Sequence, residues 1–121
     1  MEISTFGATE ISSALISLSN DLEARSEELR QLDAIIGDGD LGITIQLGSE
    51  AMRQFLGSAS ETDIGQLLAR CGMSINKASP STFGTLLASA WIAAGKAVRD
   101  EESISVAELV SMGEAAIDGI K

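Results

Sequence analysis

The sequence of 121 residues contains no histidine, one cysteine, one proline and only 3% aromatic residues. Without histidine, mechanisms that need a Ser–His–Asp or Cys–His arrangement are excluded, and so are zinc sites with histidine ligands. The single cysteine, Cys71, cannot form an internal disulfide and is typical of a reducing compartment. With so few aromatic side chains, the hydrophobic core must be built from alanine, leucine, isoleucine and valine.

Positive charge is also scarce, because 18 acidic residues against 8 basic ones give a net charge of −10. Such a surface repels nucleic-acid backbones and anionic lipid headgroups, so we expect neither nucleic acid nor a membrane as a partner. The N-terminus does not have the form of a secretory signal, and the most apolar run, residues 83–94, is too short to cross a bilayer. These features predict a soluble, cytoplasmic protein with enough carboxylates to bind a divalent cation.

Apolar residues recur at helical spacing in five segments. The five predicted helices cover residues 9–32, 43–56, 64–75, 81–99 and 106–120. Ser60 and Asp63 are expected to cap the third helix, and Ser79 is expected to cap the fourth, with Pro80 as its first residue. The capping box Ser105–Glu108 is expected to begin the fifth.

No segment alternates long enough to predict a β-strand, so the fold class is all-α. We expect a single domain over residues 1–121, folded as an up-and-down antiparallel helical bundle or barrel. The fourth helix is apolar on most of its circumference and is therefore expected at the centre of the bundle. An apolar-faced last helix leaves part of the bundle uncovered, which predicts either self-association or an incomplete version of a larger helical domain.

The most informative segment is DAIIGDGDLG, residues 33–42, in which Asp33, Asp38 and Asp40 lie among three glycines. Three carboxylates that converge repel each other unless a cation such as Mg²⁺ lies between them. The glycines allow tight turns, and Gly42 leads into a helix whose N-terminal N–H groups favour an anion. The segment therefore predicts a metal-bridged phosphate site, although an acidic helix connector that binds nothing remains the alternative.

Three other motifs resemble this segment only in part. A dinucleotide-binding G-x-G-x-x-G loop follows a β-strand, whereas residues 37–42 follow a predicted helix. An EF-hand that starts at Asp38 would have Gly42 in place of an acidic ligand and Ser49 in place of its glutamate. A phosphate-binding Walker loop requires a lysine where this chain has Ile43.

A second candidate patch covers residues 76–82 and contains Lys77 and several hydroxyl residues at a predicted helix N-terminus. Hydroxyl and backbone N–H groups at such a position can bind phosphate. The alternative is that Ser79 or Ser81 simply caps the helix. The patch becomes a functional candidate if it faces residues 33–42, which we call the aspartate loop.

Residues 32–42 resemble the signature of the nucleotide-binding domain of dihydroxyacetone kinases, and residues 78–79 and 83–87 resemble that family's second phosphate loop and the helix after it. The resemblance implies an antiparallel barrel of helices that binds ADP or ATP and two Mg²⁺ ions at one end. It implies that Asp33, Asp38 and Asp40 ligate the metal ions, that Leu41, Gly42, Ile43 and Thr44 line the phosphates, and that Ala78 and Ser79 contact phosphate from the second loop.

The chain also departs from the family pattern. Leu41 stands where histidine is most common, Thr44 stands where asparagine is usual, and Pro80 replaces a flexible glycine in a second loop about one turn shorter. The family domain continues beyond the position of Lys121, so the resemblance covers the N-terminal part of such a domain.

The resemblance implies phosphoryl transfer to a small ketose such as dihydroxyacetone, which a separate substrate-binding kinase subunit or domain holds. The phosphoryl donor is either exchangeable ATP or a phosphotransferase-system protein that rephosphorylates bound ADP. No residue of this chain is expected to be catalytic by itself. The alternative function is a catalytically inactive acidic helical bundle that acts as an interaction or homo-oligomerisation module.

Overall fold

The computed structural model describes residues 5–121, which fold into helices joined by short connections, with one small sheet. The elements of this part of the chain are β1 Thr5–Gly7, α1 Ala8–Ala24, α2 Ser26–Ala34, α3 Asp40–Ser58, α4 Ile64–Ala78, α5 Thr82–Ala97, β2 Ser103–Ser105 and α6 Val106–Gly119. Each helix from α3 to α6 packs mainly against its neighbour in sequence, and α1 and α2 pack on α3. The predicted all-α fold is confirmed.

The first predicted helix is in fact two helices, which separate at Arg25. Arg25 has φ −101° and ψ 6°, and its N–H donates to the carbonyl of Leu22 at 3.1 Å, which closes α1 with a tighter turn. The break falls in the seven-residue gap between Leu22 and Leu29, where no large apolar side chain anchors the helix to the core. The apolar pattern continues on both sides of the gap, so periodicity alone predicts one helix.

The predicted caps of two helices are confirmed in their essential parts. Asp63 caps α4, since its carboxylate accepts from the N–H of Gln66 at 3.1 Å, and Ser60 takes no part in that cap. Both halves of the capping box Ser105–Glu108 are present at the start of α6.

The prediction that Ser79 caps α5 with Pro80 as the first helical residue is wrong, and the alternative cap, Ser81, is confirmed. Ser81, not Ser79, caps this helix, and its hydroxyl accepts from the N–H of Gly84 at 3.0 Å. Ser79 instead ends α4 and turns its hydroxyl inward, so it cannot reach the first turn of α5. Pro80 therefore precedes the cap and is not the first helical residue.

A two-stranded antiparallel sheet, which was not predicted, joins the start of α1 to the connection between α5 and α6. Phe6 pairs with Ile104, and Ile104 is completely buried. Each strand has only three residues, which is too short to produce a recognisable alternation in sequence. The sheet holds the two ends of the helical array together.

The core is centred on α4, whose inward side chains are all 3% exposed or less. They are the apolar positions predicted for the third helix, namely Ile64, Leu67, Leu68, Cys71 and Ile75. The next helix, α5, was expected at the centre of the bundle, but it is not covered on all sides. Phe83 and Leu86 of α5 are 41% and 46% exposed, because α5 contacts α4 and α6 but has open surface at its N-terminal end.

The helices α4 and α5 cross with their backbones in contact at two glycines. A Cβ atom on Gly95 would lie 2.5 Å from the carbonyl oxygen of Gly65, and a Cβ atom on Gly65 would lie 2.6 Å from that of Gly95. Real Cβ atoms do not approach an oxygen so closely, so both positions require glycine. None of the helices in residues 5–121 is both long and apolar enough to span a membrane.

Cys71 is expected to be unreactive in the folded protein. Its side chain is completely buried in the core, and burial raises the pKa of its thiol to about 12. A thiol-specific reagent at pH 8 should therefore modify Cys71 at the rate of unfolding, and rapidly only after denaturation in guanidinium chloride. Fast stoichiometric modification of the native protein would contradict the position of Cys71 in the core.

Candidate functional site

An open cavity of about 380 Å³ lies between the N-termini of α3 and α5. The described residues that line it are Asp33, Asp38, Asp40, Leu41, Thr44, Ser81, Thr82 and Phe83. Two long helices thus direct their positive N-terminal ends toward one space, which is the arrangement that favours an anion. The aspartate loop and the second candidate patch therefore face each other across a single cavity.

The aspartate loop owes its shape to two glycines. Gly37 donates its N–H to the carbonyl of Asp33 at 2.6 Å, and a Cβ atom on Gly37 would lie 2.7 Å from Oδ1 of Asp33. Gly39 has φ +83°, in the left-handed region that favours glycine, and forms the N-terminal boundary of α3. These turns return the chain so that Asp38 and Asp40 line the same cavity as Asp33.

Backbone N–H groups at the start of α3 hold two of the three carboxylates. The N–H of Asp40 donates to Oδ1 of Asp38 at 3.1 Å, and the N–H of Leu41 donates to Oδ2 of Asp33 at 3.3 Å. Both bonds satisfy donors of the first helical turn that have no partner within the helix. The carboxylates are therefore oriented by the helix that they precede.

The negative charges in this cavity are not balanced by the residues that line it. A side-chain hydrogen bond with Asp38 and the charge of Asp38 raise the pKa of Asp40, and desolvation and the charge of Asp33 add to the effect. The lining residues among those described include no lysine or arginine. A bound cation would relieve the repulsion, and an all-oxygen donor set is the one that Mg²⁺ prefers.

The three carboxylates are suitable ligands for Mg²⁺, but their side chains do not converge on one point. Within residues 5–121, no group of three or more histidine, cysteine, aspartate or glutamate side chains is arranged so that it could hold a metal ion. Ligation by all three aspartates would therefore require side-chain rotation toward a common point. The assignment of Asp33, Asp38 and Asp40 as metal ligands stays a prediction.

A chain of three hydroxyl groups forms the opposite side of the site. The hydroxyl of Ser79 donates to Oγ1 of Thr44 at 3.1 Å, and Oγ1 of Thr44 lies 3.4 Å from Oγ of Ser81. Thr44 and Ser79 are only 3% and 8% exposed, so these bonds satisfy polar groups that have little access to water. The chain fixes α3 to the N-terminus of α5 and sets the width of the cavity.

The remaining predicted phosphate-binding residues lie outside the lining of the cavity. Gly42 packs against α2, since a Cβ atom there would lie 2.5 Å from the carbonyl oxygen of Ser26. Ile43 is half exposed, Ala78 ends α4, and Ser79 supports the site only through Thr44. A contact between these residues and phosphate remains a prediction.

Sequence reasoning placed Ser81 and Thr82 in the second patch and Phe83 in the stretch that resembles the family's second phosphate loop and the helix after it, but it selected none of the three as a binding residue. All three line the cavity at the first turn of α5. Ala78 and Ser79 were selected from the family resemblance, whereas the signal that points to the first turn of α5 is Ser81 as the cap of that helix.

Comparisons with known proteins agree with this structure. The model of the DAK2 domain family matches residues 35–121. The ADP-binding subunit DhaL of the PEP-dependent dihydroxyacetone kinase of Escherichia coli is 29% identical over 112 residues, which cover 93% of this chain and 53% of that subunit. The ADP-binding subunit DhaL of PEP-dependent dihydroxyacetone kinase 1 of Listeria innocua is 30% identical over 106 residues, 84% of this chain and 53% of that subunit.

The chain thus spans about half the length of the curated relatives that it matches. Asp38 and Asp40 lie within the range that the family model matches, and Asp33 lies two residues before it. Since that range covers well over half of the chain and includes every helix from α3 to α6, the protein belongs to the DAK2 domain family.

Proposed function

We propose that this chain binds the diphosphate of ADP or ATP together with Mg²⁺ in the cavity between α3 and α5. The observation that carries the proposal is the combination of three aspartates, without a basic residue among the lining residues, and two helix N-termini in one cavity. Carboxylates alone would repel a diphosphate, whereas carboxylates with bound Mg²⁺ attract it.

Asp33, Asp38 and Asp40 would hold the metal, for which two ions are expected from the family resemblance. The first-turn N–H groups of α5 and the hydroxyls of Ser81 and Thr82 would donate to phosphate oxygens from the other side. When bound, Mg²⁺ neutralises charge on the phosphates.

We further propose that the bound nucleotide takes part in phosphoryl transfer to a small ketose held by a separate substrate-binding subunit. Both relatives are named ADP-binding subunits of PEP-dependent dihydroxyacetone kinases. That name favours a phosphotransferase-linked donor that rephosphorylates bound ADP over exchange of ATP. Such transfer depends on positioning and charge neutralisation more than on a protein nucleophile, which is compatible with a chain that has no histidine.

A second candidate is an interaction module that does not support turnover. The observation in its favour is Leu41, which lines the cavity at the position where the family most often has histidine, so one side-chain contact to phosphate is missing.

Calorimetric titration of ADP tests the proposal directly. We expect binding in Mg²⁺ buffer and its loss when EDTA replaces Mg²⁺, because the aspartates repel a metal-free diphosphate. AMP is the control ligand, and it should bind at least tenfold more weakly because it lacks the second phosphate. Equal affinity for ADP with EDTA, or no binding at millimolar ADP with Mg²⁺, would contradict the proposal and favour the interaction module.

A further inference from the structure

The chain of three hydroxyl groups opposite the aspartate loop has a direction, which follows from the positions of its hydrogen atoms. A serine or threonine hydroxyl has one hydrogen to donate and two lone pairs that accept. Ser79 donates its hydrogen to Oγ1 of Thr44 at 3.1 Å. Oγ1 of Thr44 also lies 3.4 Å from Oγ of Ser81, and the distance alone allows either group to be the donor. The direction of this second bond decides which hydroxyl is left to bind a ligand.

The burial of Thr44 identifies it as the donor of the second bond. Thr44 is only 3% exposed, and within the described residues its hydroxyl bonds with Ser79 and Ser81 alone. If Ser81 donated to Thr44, the hydrogen of Thr44 would have no acceptor at a position that water hardly reaches. A buried donor without an acceptor destabilises the folded state, so the hydrogen of Thr44 points to Ser81.

Ser81 then accepts two hydrogen bonds, one from Thr44 and one from the N–H of Gly84 at 3.0 Å, which is the capping bond of α5. Both of its lone pairs are occupied, so Ser81 cannot ligate a metal ion without losing one of these bonds. Its own hydrogen has no acceptor in the part of the chain that the structure describes, and Ser81 lines the cavity. This hydrogen is therefore available to an oxygen atom of a ligand.

We propose that Thr44 is a positioning residue that orients the hydroxyl of Ser81, and that Ser81 donates its hydrogen to a phosphate oxygen and does not hold the metal. This role rests on the proposed function, since it requires a diphosphate in the cavity. Hydroxyl groups in a chain polarise one another, so the bonds from Ser79 and Thr44 make Ser81 a stronger donor. Thr44 thus acts on phosphate through Ser81, whereas the family resemblance implies that it lines the phosphates itself.

Calorimetric titration of ADP in Mg²⁺ buffer tests the role of Ser81. Ser81→Ala should weaken ADP binding about tenfold, the effect of one lost hydrogen bond to a charged group. The loss should persist when the Mg²⁺ concentration is raised to saturation, because Ser81 does not hold the metal. Ser81→Thr keeps both the cap and the hydroxyl and should bind ADP as the wild type does.

A double-mutant cycle tests whether Thr44 acts through Ser81. Thr44→Val should weaken ADP binding several-fold, and Thr44→Ser, which keeps the hydroxyl, should restore it. In the Ser81→Ala background, Thr44→Val should cause no further loss, because the hydroxyl that it orients is absent. A residue that only supported the fold would weaken binding further in the double variant.

The matched control is Thr85→Val. Thr85 is also on α5 and donates to Oδ1 of Asn76 at 3.2 Å, but it does not line the cavity, so ADP affinity should not change. Wild-type affinity in Ser81→Ala or in Thr44→Val would overturn the role of Thr44 and leave the proposed function intact. The same holds for a double variant whose loss equals the product of the two single losses. Absence of ADP binding by the wild type in Mg²⁺ would instead overturn the proposed function, and the role of Thr44 with it.

Discussion

Gly95→Ala is expected to lower the free energy of unfolding by about 2 kcal/mol. The added Cβ atom would lie 2.5 Å from the carbonyl oxygen of Gly65 and 3.2 Å from the backbone nitrogen of Ala69. Both are backbone atoms of α4, which cannot move aside as a flexible side chain can. Overpacking of this kind costs about 3 kcal/mol, more than the gain of about 1 kcal/mol from the higher helix propensity of alanine.

Urea denaturation followed by circular dichroism measures this change, and Gly57→Ala supplies its control. Gly57 is also inside a helix, but a Cβ atom there would contact nothing within 4 Å. Gly57→Ala should therefore stabilise the protein by about 0.5–1 kcal/mol, since only the propensity gain applies. A glycine-to-alanine substitution is thus expected to lower the free energy of unfolding at Gly95 and to raise it at Gly57. If Gly95→Ala also stabilises the protein, α4 and α5 do not cross in backbone contact.

The helices could be predicted from sequence because their boundaries depend on local signals. Asp63 and the box Ser105–Glu108 satisfy the first N–H groups of their own helices, so a few neighbouring residues are sufficient to identify them. The pairing of Phe6 with Ile104 depends on a contact between segments that are distant in sequence, about which apolar spacing contains no information. The break at Arg25 falls in a gap of the apolar pattern, but the pattern continues on both sides of the gap, so periodicity did not reveal it.

The lining of the cavity could likewise be predicted only where the signals are local. The aspartate loop could be recognised from its three carboxylates and from the two glycines that its turns require. The opposite side of the cavity could not, because Ser79 and Ser81 have similar local capping potential. Only the bond from Ser79 to Thr44, 35 residues away in sequence, turns Ser79 inward and leaves Ser81 as the cap. Tertiary structure therefore decided which residues of this segment line the cavity.

Asp40→Asn is expected to separate the binding role of this carboxylate from any structural role. The pKa of Asp40 is raised, chiefly by Asp38, so the ionised form is disfavoured in the folded protein. The stabilising contribution of a group with a raised pKa is present at low pH and is lost as the pH rises through that pKa. At pH 7 the repulsion is therefore fully present, and removing the charge should leave the melting temperature of the ligand-free protein unchanged or slightly higher.

The same variant should lose stabilisation by Mg²⁺ and ADP. A ligand whose concentration is a hundred times its dissociation constant stabilises the native state. For a domain of this size, the melting temperature should then rise by on the order of 10 °C. Thermal unfolding with and without Mg²⁺ and ADP should show this shift in the wild type and not in Asp40→Asn. Asp21→Asn removes one charge from the exposed surface of α1 and should keep the full shift. An equal shift in all three proteins would mean that the nucleotide binds elsewhere, whereas a large loss of stability in ligand-free Asp40→Asn would mean that the carboxylate serves the fold.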